Sequence, residues 1–390
     1  MTGRPLEGCR VLDLGILTAG AATSALLADL GADVIKVESK VYRDPFRQWP
    51  SGAAKEEAEK SDLPPFYRAT NRNKRSLGLN LKHPEGRAVF MKLAARSDIV
   101  VENFRRGVMA SLGLDFPALQ RVNPAIILAS LSSQGESGPD ADRVSFGSTL
   151  EASGGLAWLT GYAGGDPTMS GIALNYADQV VAIFAAGMVV STLLDRRKHG
   201  AGCHLEISQR ELISFLCGES FVAPGAESRH GNAEAPWPIQ DCFRTADGCW
   251  IAITVSAERR TALESLVGCI HGGITGNDAT TAALRGWIGA RNADAALAAL
   301  DAAGIICAPV LDGAGALAQG EALQRDAVVR VPDGKLLKGF PFTLEAMAMR
   351  VDADARALGA DSARIMSELG GYPADEIARL VKEGIVEFPG

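Results

Sequence analysis

The chain lacks most of the signatures that assign a chemistry on sight. Its five histidines (residues 83, 199, 204, 230 and 271) show no ligand spacing, so no metal site is expected. Its seven cysteines are scattered without a CxxC pair, which reads as reduced thiols in a cytoplasmic compartment. No G-x-S-x-G elbow is present, and no histidine stands where a Ser–His–Asp triad would need it. Cys203 and Cys217 read as core residues and not as nucleophiles. A dinucleotide fingerprint is missing as well: the first strand pattern runs into GILTAGAAT, where only Gly15 and Gly20 remain of the glycines that G-x-G-x-x-G requires. The N-terminus, MTGRPLEGCRVLDLG, has no signal-peptide apolar core. A net charge of −7 argues against a nucleic-acid partner, and repeats and low-complexity tracts are absent.

What is present describes an ordinary soluble α/β protein. The 390 residues are 47% hydrophobic and 22% charged, enough for a sizeable core in two or three domains. Cys9–Gly15 is a strand pattern, Ser24–Leu30 a helix and Asp33–Val37 a second strand, which together make a parallel βαβ unit. Helix Pro84–Ala95, strand Asp98–Glu102, helix Pro117–Val122 and strand Ala125–Ser130 continue the alternation. A doubly wound, Rossmann-like sheet follows, with ligands expected at the carboxyl ends of its strands. Those ends carry the turn after Asp13, the NFRRG turn at 103–107 and the loop Ser130–Gly138.

The domains expected are a large α/β ligand-binding domain beginning in 1–205, a smaller α+β domain over 225–320, and a return to the large domain over 335–390. Residues 40–70, with four prolines and the charged stretch Lys55–Lys60, read as a surface excursion. Asp241–Val255 reads as a hairpin, and Gln209–Val222, Glu258–Gly268, Arg285–Ala303 and Pro373–Glu383 as helices.

Two features carry chemistry, each with a plain alternative. Asp178 heads the apolar run Val180–Leu194, which has the length of a buried helix of about four turns and is too short and polar-flanked for a membrane span. A carboxylate there can cap the helix, or it can act as a nucleophile at the end of a buried element. Arg72, Lys74, Arg75, Lys82, Arg105 and Arg106 form either a solvated charged face or an anion site built from two strand-edge loops. The loop Gly161–Asp166 is a turn or a mobile cover, and Trp158, Tyr162, Trp237 and Trp250 are core residues or the lining of an acyl pocket.

Taken in order, GCRVLDLG, LLADLGADVIKVES, NRNKRSLGLNLKHPEGR, VENFRRG, SSQGESGP, YADQVVAIFAAG, RTADGCWIAI, CAPVLD and GFPF resemble the family III CoA transferases over essentially the whole chain. That group includes the formyl-CoA:oxalate and carnitine CoA transferases, and the α-methylacyl-CoA racemases are related to it. The resemblance implies an interlocked, ring-shaped homodimer acting on an acyl-CoA and a carboxylic acid, with CoA as substrate and no tightly bound cofactor. It makes Asp178 the catalytic residue. It puts Thr18 and Ala19 near the thioester, Leu79, Lys82, Asn103, Phe104 and Arg105 around CoA, and Arg143 and Phe146 close by.

Several positions depart from the family pattern. A basic residue common after the IKVE strand is Ser39, leaving Lys40 beside it; another arginine falls on Ser111, leaving Arg105 and Arg106 as substitutes. An acidic position is Gly147, with Glu151 one turn on, and Asn232–Trp237 replaces the tetraglycine loop of the oxalate enzymes. The racemases' catalytic histidine is Phe146 here, which disfavours α-proton exchange, since that reaction needs an acid and a base on opposite faces. The expected activity is CoA transfer through an aspartyl-CoA thioester on Asp178. The alternatives are an acyl-CoA racemase or isomerase, or a CoA-binding partner subunit without its own activity.

Overall fold

Strand residues of the first 130 positions alternate between two faces, and this alternation is realised as a parallel sheet. In a computed structural model, described over residues 3–49, 63–223, 229–268, 277–320, 324–331, 334–343, 345, 347 and 351–389, the chain divides into two compact units. The first comprises Met1–Leu156, Met169–Val222 and Leu323–Gly390; the second comprises Ala157–Thr168 and Ala223–Ala322. The stretch Lys55–Lys60 lies outside the described residues.

The first unit contains β1 (Arg10–Asp13), α1 (Ala19–Asp29), β2 (Asp33–Glu38), α2 (Pro65–Asn71), β3 (Arg75–Leu79), α3 (Pro84–Ala94), β4 (Ile99–Glu102), α4 (Phe116–Val122) and β5 (Ile127–Ser130). It goes on through α5 (Gly147–Gly154), α6 (Tyr176–His199), β6 (His204–Glu206) and α7 (Gln209–Leu216). The six strands lie in the order β3-β2-β1-β4-β5-β6, all parallel. This is the doubly wound order, and its direction reverses between β1 and β4, where the loops leaving the two strands part and open a crevice.

Val11, Val34, Ile99, Val101 and Ile127 face one side of the sheet and pack with α1 and α6. Leu12, Ile35, Leu77, Val100 and Leu128 face the other, with α3 and the C-terminal helix Ala374–Lys382. A short strand at Val386–Glu387 adds antiparallel to β3, an edge the sequence did not announce because only two residues pair. Gly78 admits it: a Cβ there would stand 2.6 Å from the Glu387 carbonyl oxygen.

Helix α1 starts five residues before the expected Ser24. The Gly/Ala-rich stretch that reads as a turn is helical, because alanine favours helix and small side chains let α1 lie close against α6. At 24 residues, α6 is longer than the apolar run, since Arg196–His199 extend it and suit its C-terminal dipole before Gly200 turns the chain. By length and composition α6 is long and apolar enough to cross a membrane, contrary to the sequence estimate. Its Val181, Ala185, Val189 and Leu193 are nevertheless buried against the sheet layer, each Val or Leu contributing about 1.5–3 kcal/mol. The expected helix Gln209–Val222 breaks at Cys217.

The second unit pairs β7 (Ile239–Arg244) with β8 (Trp250–Val255) as an antiparallel hairpin, and β9 (Ile306–Val310) joins β8 antiparallel. Helices α8 (Arg260–Val267), α9 (Asn277–Gly289) and α10 (Ala293–Ala302) complete its core around Phe243, Ile251 and Leu300. The single helix expected over 285–303 is split, because the Asn292 side chain caps a new helix by accepting from the Ala295 N–H at 2.9 Å.

Candidate active site

A buried charge framework holds the loop after β1. Asp13 accepts from the Gly15 N–H at 2.8 Å and from Lys74 Nζ at 2.7 Å. Lys36 donates to the Gly15 carbonyl and, at 3.1 Å, to Asp44, whose other oxygen accepts from the Leu17 N–H at 3.2 Å. Asn103, just past β4, clamps Ile16 from the far side of the crevice, accepting its N–H at 2.8 Å and donating to its carbonyl at 3.0 Å. So constrained, Leu17 takes the left-handed conformation (φ 56°) and the chain enters α1 at Thr18.

These contacts correct the reading of the basic cluster. Arg72 and Lys74 are neither a solvated face nor an anion site: Arg72 is buried on Asp29 at 2.5 Å, and Lys74 on Asp13. Burial pulls the Lys74 ammonium down to about 8 against the pull of Asp13. Arg75 opens β3 at the amino edge of the sheet, opposite the crevice, and is held by Asp33 at 2.5 Å. It is therefore turned away from the ligand edge.

Asp178 lies in the first turn of α6. It does not supply the cap there, since Asn175 is the N-cap residue in a left-handed conformation. The Asn175 amide donates to Thr18 Oγ at 2.6 Å, tying the start of α6 to the start of α1. The Asp178 carboxylate accepts the N–H of Ala19, the first residue of α1, and so sits between two positive helix ends. Burial pushes its carboxyl from 3.8 up to about 6, opposed by the N–H groups of Ala19 and Asp178 and the Asn175 amide, with nearby Glu151 adding to the rise.

A third helix start closes in on the same carboxylate. Gly147 begins α5, and a Cβ on it would stand 2.6 Å from Asp178 Oδ2 and closer still to Asn175 Oδ1. Phe146 occupies the N-cap of α5 and has no acceptor, so no side chain caps the first-turn N–H groups. Glu151, one turn on, is buried and accepts from the Ser170 N–H at 2.8 Å and from its hydroxyl.

Asp178, Asn103, Phe104, Arg105 and Phe146 line one cavity of about 430 Å³, together with Gly147, Ser148 and Asn175. Its walls add residues that sequence reasoning missed, among them Ile16, Leu17, Tyr42, Phe46 and Trp49. Thr18 and Ala19 are buried beside Asp178. Lys40 and Lys82 are exposed just beyond β2 and β3, at the carboxyl edge but outside the cavity wall. Arg106 pairs with Asp142 at 3.4 Å and Arg143 with Asp140 at 2.9 Å, both arginine side chains reaching into solvent. Leu79, at the end of β3, buries its side chain in the sheet core.

Glu102 supports the turn that follows β4. It accepts the Phe104 N–H at 2.7 Å, and burial pushes its carboxyl up to about 7 despite that bond and one from Ser130. Burial also raises the Cys203 and Cys217 thiols, which suits inert residues. Trp158, Tyr162, Trp237 and Trp250 are partly exposed and all belong to the second unit. There Arg229 pins the loop Gly161–Asp166, donating to the Gly165 carbonyl at 2.7 Å.

Comparison with known proteins finds relatives over nearly the whole chain. A probable CoA-transferase of Mycobacterium tuberculosis is 30% identical over 99% of this chain, which spans about half (51%) of that protein. The succinyl-CoA–D-citramalate CoA-transferase of Chloroflexus aurantiacus is 30% identical over 98% of each chain. The crystal structure of a CaiB/BaiF family protein from Brucella suis superposes with a TM-score of 0.85 at 26% identity, over 94% of this chain and 100% of that one. Residues 6–362 match the profile of CoA-transferase family III, and the chain belongs to that family.

Proposed function

We propose that the protein moves CoA from an acyl-CoA donor to a free carboxylic acid through an aspartyl-CoA thioester on Asp178. The observation that carries this reading is the Asp178 carboxylate itself, exposed to a ligand-sized cavity and gripped by the starts of α1 and α6, with the side-chain-free Gly147 beside it. The Chloroflexus relative, named for a CoA thioester and a carboxylic acid, supports the same pair of substrates.

The chemistry runs without net proton transfer. A carboxylate oxygen of Asp178 attacks the thioester carbonyl, the C–S bond breaks, and CoA leaves as thiolate from a mixed anhydride. The thiolate attacks the aspartyl carbonyl and releases the donor acid as carboxylate, leaving CoA on Asp178. The acceptor carboxylate then attacks that carbonyl and expels the thiolate, which attacks the acceptor's acyl carbon and frees Asp178. Each tetrahedral state carries negative charge. The uncapped N–H groups of Gly147 and Ser148 stand at the cavity wall to meet it, and one such donor is worth about 10²–10³ in rate. Lys40, Lys82 and Arg105 at the carboxyl edge are assigned to CoA, with Asn103 and Phe104 forming the turn it follows.

The assembly we propose is an intertwined homodimer. The outer face of α6 exposes Ile183, Phe184, Met188 and Leu194, and Phe184 meets the exposed Phe215 edge-on at 6.4 Å between ring centres. An apolar face of this kind on a soluble chain calls for a partner surface. The unpaired thiols of the described residues fit a reducing, cytoplasmic compartment.

The test is transfer between an acyl-CoA and a free acid by the Asp178→Ala protein. Loss of transfer with CoA binding intact is expected; a variant that still transfers defeats the reading.

A further inference from the structure

The walls of the Asp178 cavity select a kind of acyl group. Tyr42, Phe46, Trp49, Phe104, Phe146 and Leu150 surround it, and Phe146 keeps 65% of its surface open, Tyr42 53% and Trp49 40%. Large rings left this open around one cavity form an apolar surface awaiting an apolar ligand. Among the described residues of the wall, Arg105 is the one cation, and it stands on the turn assigned to CoA.

The side-chain amides of the wall are already engaged within the protein, which disfavours a second anion. The Asn103 and Asn175 amides are tied to Ile16 and Thr18. The Gln209 amide is engaged as well, donating to the Leu131 carbonyl at 2.6 Å. The helix starts at Ala19 and Gly147 favour negative charge, but that place is taken by Asp178 and the reacting carboxyl. A distal carboxylate would lie unpaired among rings and near the charge of Asp178.

We infer that the acyl group this protein accepts has an uncharged, apolar body, aromatic or branched, with the reacting carboxyl as its only charge. The inference rests on the transferase reading above and deepens it. It separates this chain from a relative named for succinyl-CoA, whose acyl group ends in a second carboxylate.

The experiment loads the purified full chain with CoA on Asp178 and compares kcat/KM for 3-phenylpropanoate, glutarate and succinate as acceptors. A preference of at least about 100-fold for 3-phenylpropanoate is expected, from the cost of burying an unpaired carboxylate. A dicarboxylate used within tenfold of it, or better, with the Asp178 adduct still forming, overturns the substrate class and leaves the transferase reading standing. No adduct and no transfer with any acid overturns both. Phe146→Arg supplies the missing cation at an exposed position; it should narrow the preference at least tenfold, and an unchanged ratio overturns the assignment of this cavity to the acyl group.

Discussion

Gly147→Ala adds one carbon at the most crowded point of the site. The new Cβ would stand 2.6 Å from Asp178 Oδ2 and nearer still to Asn175 Oδ1. An unstrained carbon–oxygen approach is about 3.3 Å, so one or both oxygens must retreat by roughly 0.7 Å or more. Neither is free to do so. Asp178 would lengthen its bond from the Ala19 N–H, and Asn175 would break its 2.6 Å bond to Thr18, which joins the starts of α1 and α6. A nucleophile displaced by close to 1 Å loses about 100-fold in rate. Overpacking at such a contact costs about 1–3 kcal/mol of stability. Steady-state transfer and thermal unfolding read the two effects separately. The expected result is kcat lower by about 100-fold, KM for acyl-CoA within about threefold, and a melting temperature a few degrees lower. The turn at 103–105 is untouched, which is why KM should hold. A Gly147→Ala protein with full kcat refutes the packing argument, because the carboxylate would then have room that the structure does not give it.

Three further outcomes can be measured. Burial lifts Asp178 from 3.8 to about 6 in the fold, so the proton-linked stability is complete below about pH 4 and is lost as pH rises through about 6. Asp178→Asn should therefore be more stable than the natural chain at pH 8 by about 1–2 kcal/mol, after allowing for its partial exposure, with the gap closing below about pH 4. Urea unfolding at several pH values checks it, and a gap that does not change with pH contradicts it. For the unaltered enzyme, kcat/KM should fall as pH drops below about 6, since only the carboxylate attacks. Lys36→Met removes the buried partner of Asp44 and of the Gly15 carbonyl, leaving an uncompensated charge. A loss of about 3–5 kcal/mol is expected by denaturant unfolding, and a loss below about 1 kcal/mol shows that the framework does not hold the loop.

The sheet was legible because its strands alternate: Val11 and Leu12, or Ile99 and Val100, point to opposite faces, and each strand is followed by a helix. Asp178 was legible as a lone carboxylate before an apolar run. What the sequence left ambiguous was its surroundings, since the start of α1 and the gap at Gly147 meet it only through tertiary packing. The cations of 72–75 misled for a related reason. Their partners, Asp29, Asp13 and Asp33, lie some forty to sixty residues away in the chain, and a local reading counts charge without its counterion. Tyr42, Phe46 and Trp49 were hidden in a segment that looked like surface because prolines interrupt it. Asp44 and Lys36 instead fold its beginning onto the β1 loop. Trp158 and Tyr162 drew attention as lone aromatics, but they belong to the second unit.

The central claim is a covalent bond between Asp178 and CoA, and peptide mass spectrometry of the protein incubated with an acyl-CoA tests it most directly. The account predicts a CoA adduct on the peptide that contains Asp178, lost on adding an acceptor acid and absent in Asp178→Ala. Active transfer with no adduct at that residue, or with the adduct on another, would contradict it.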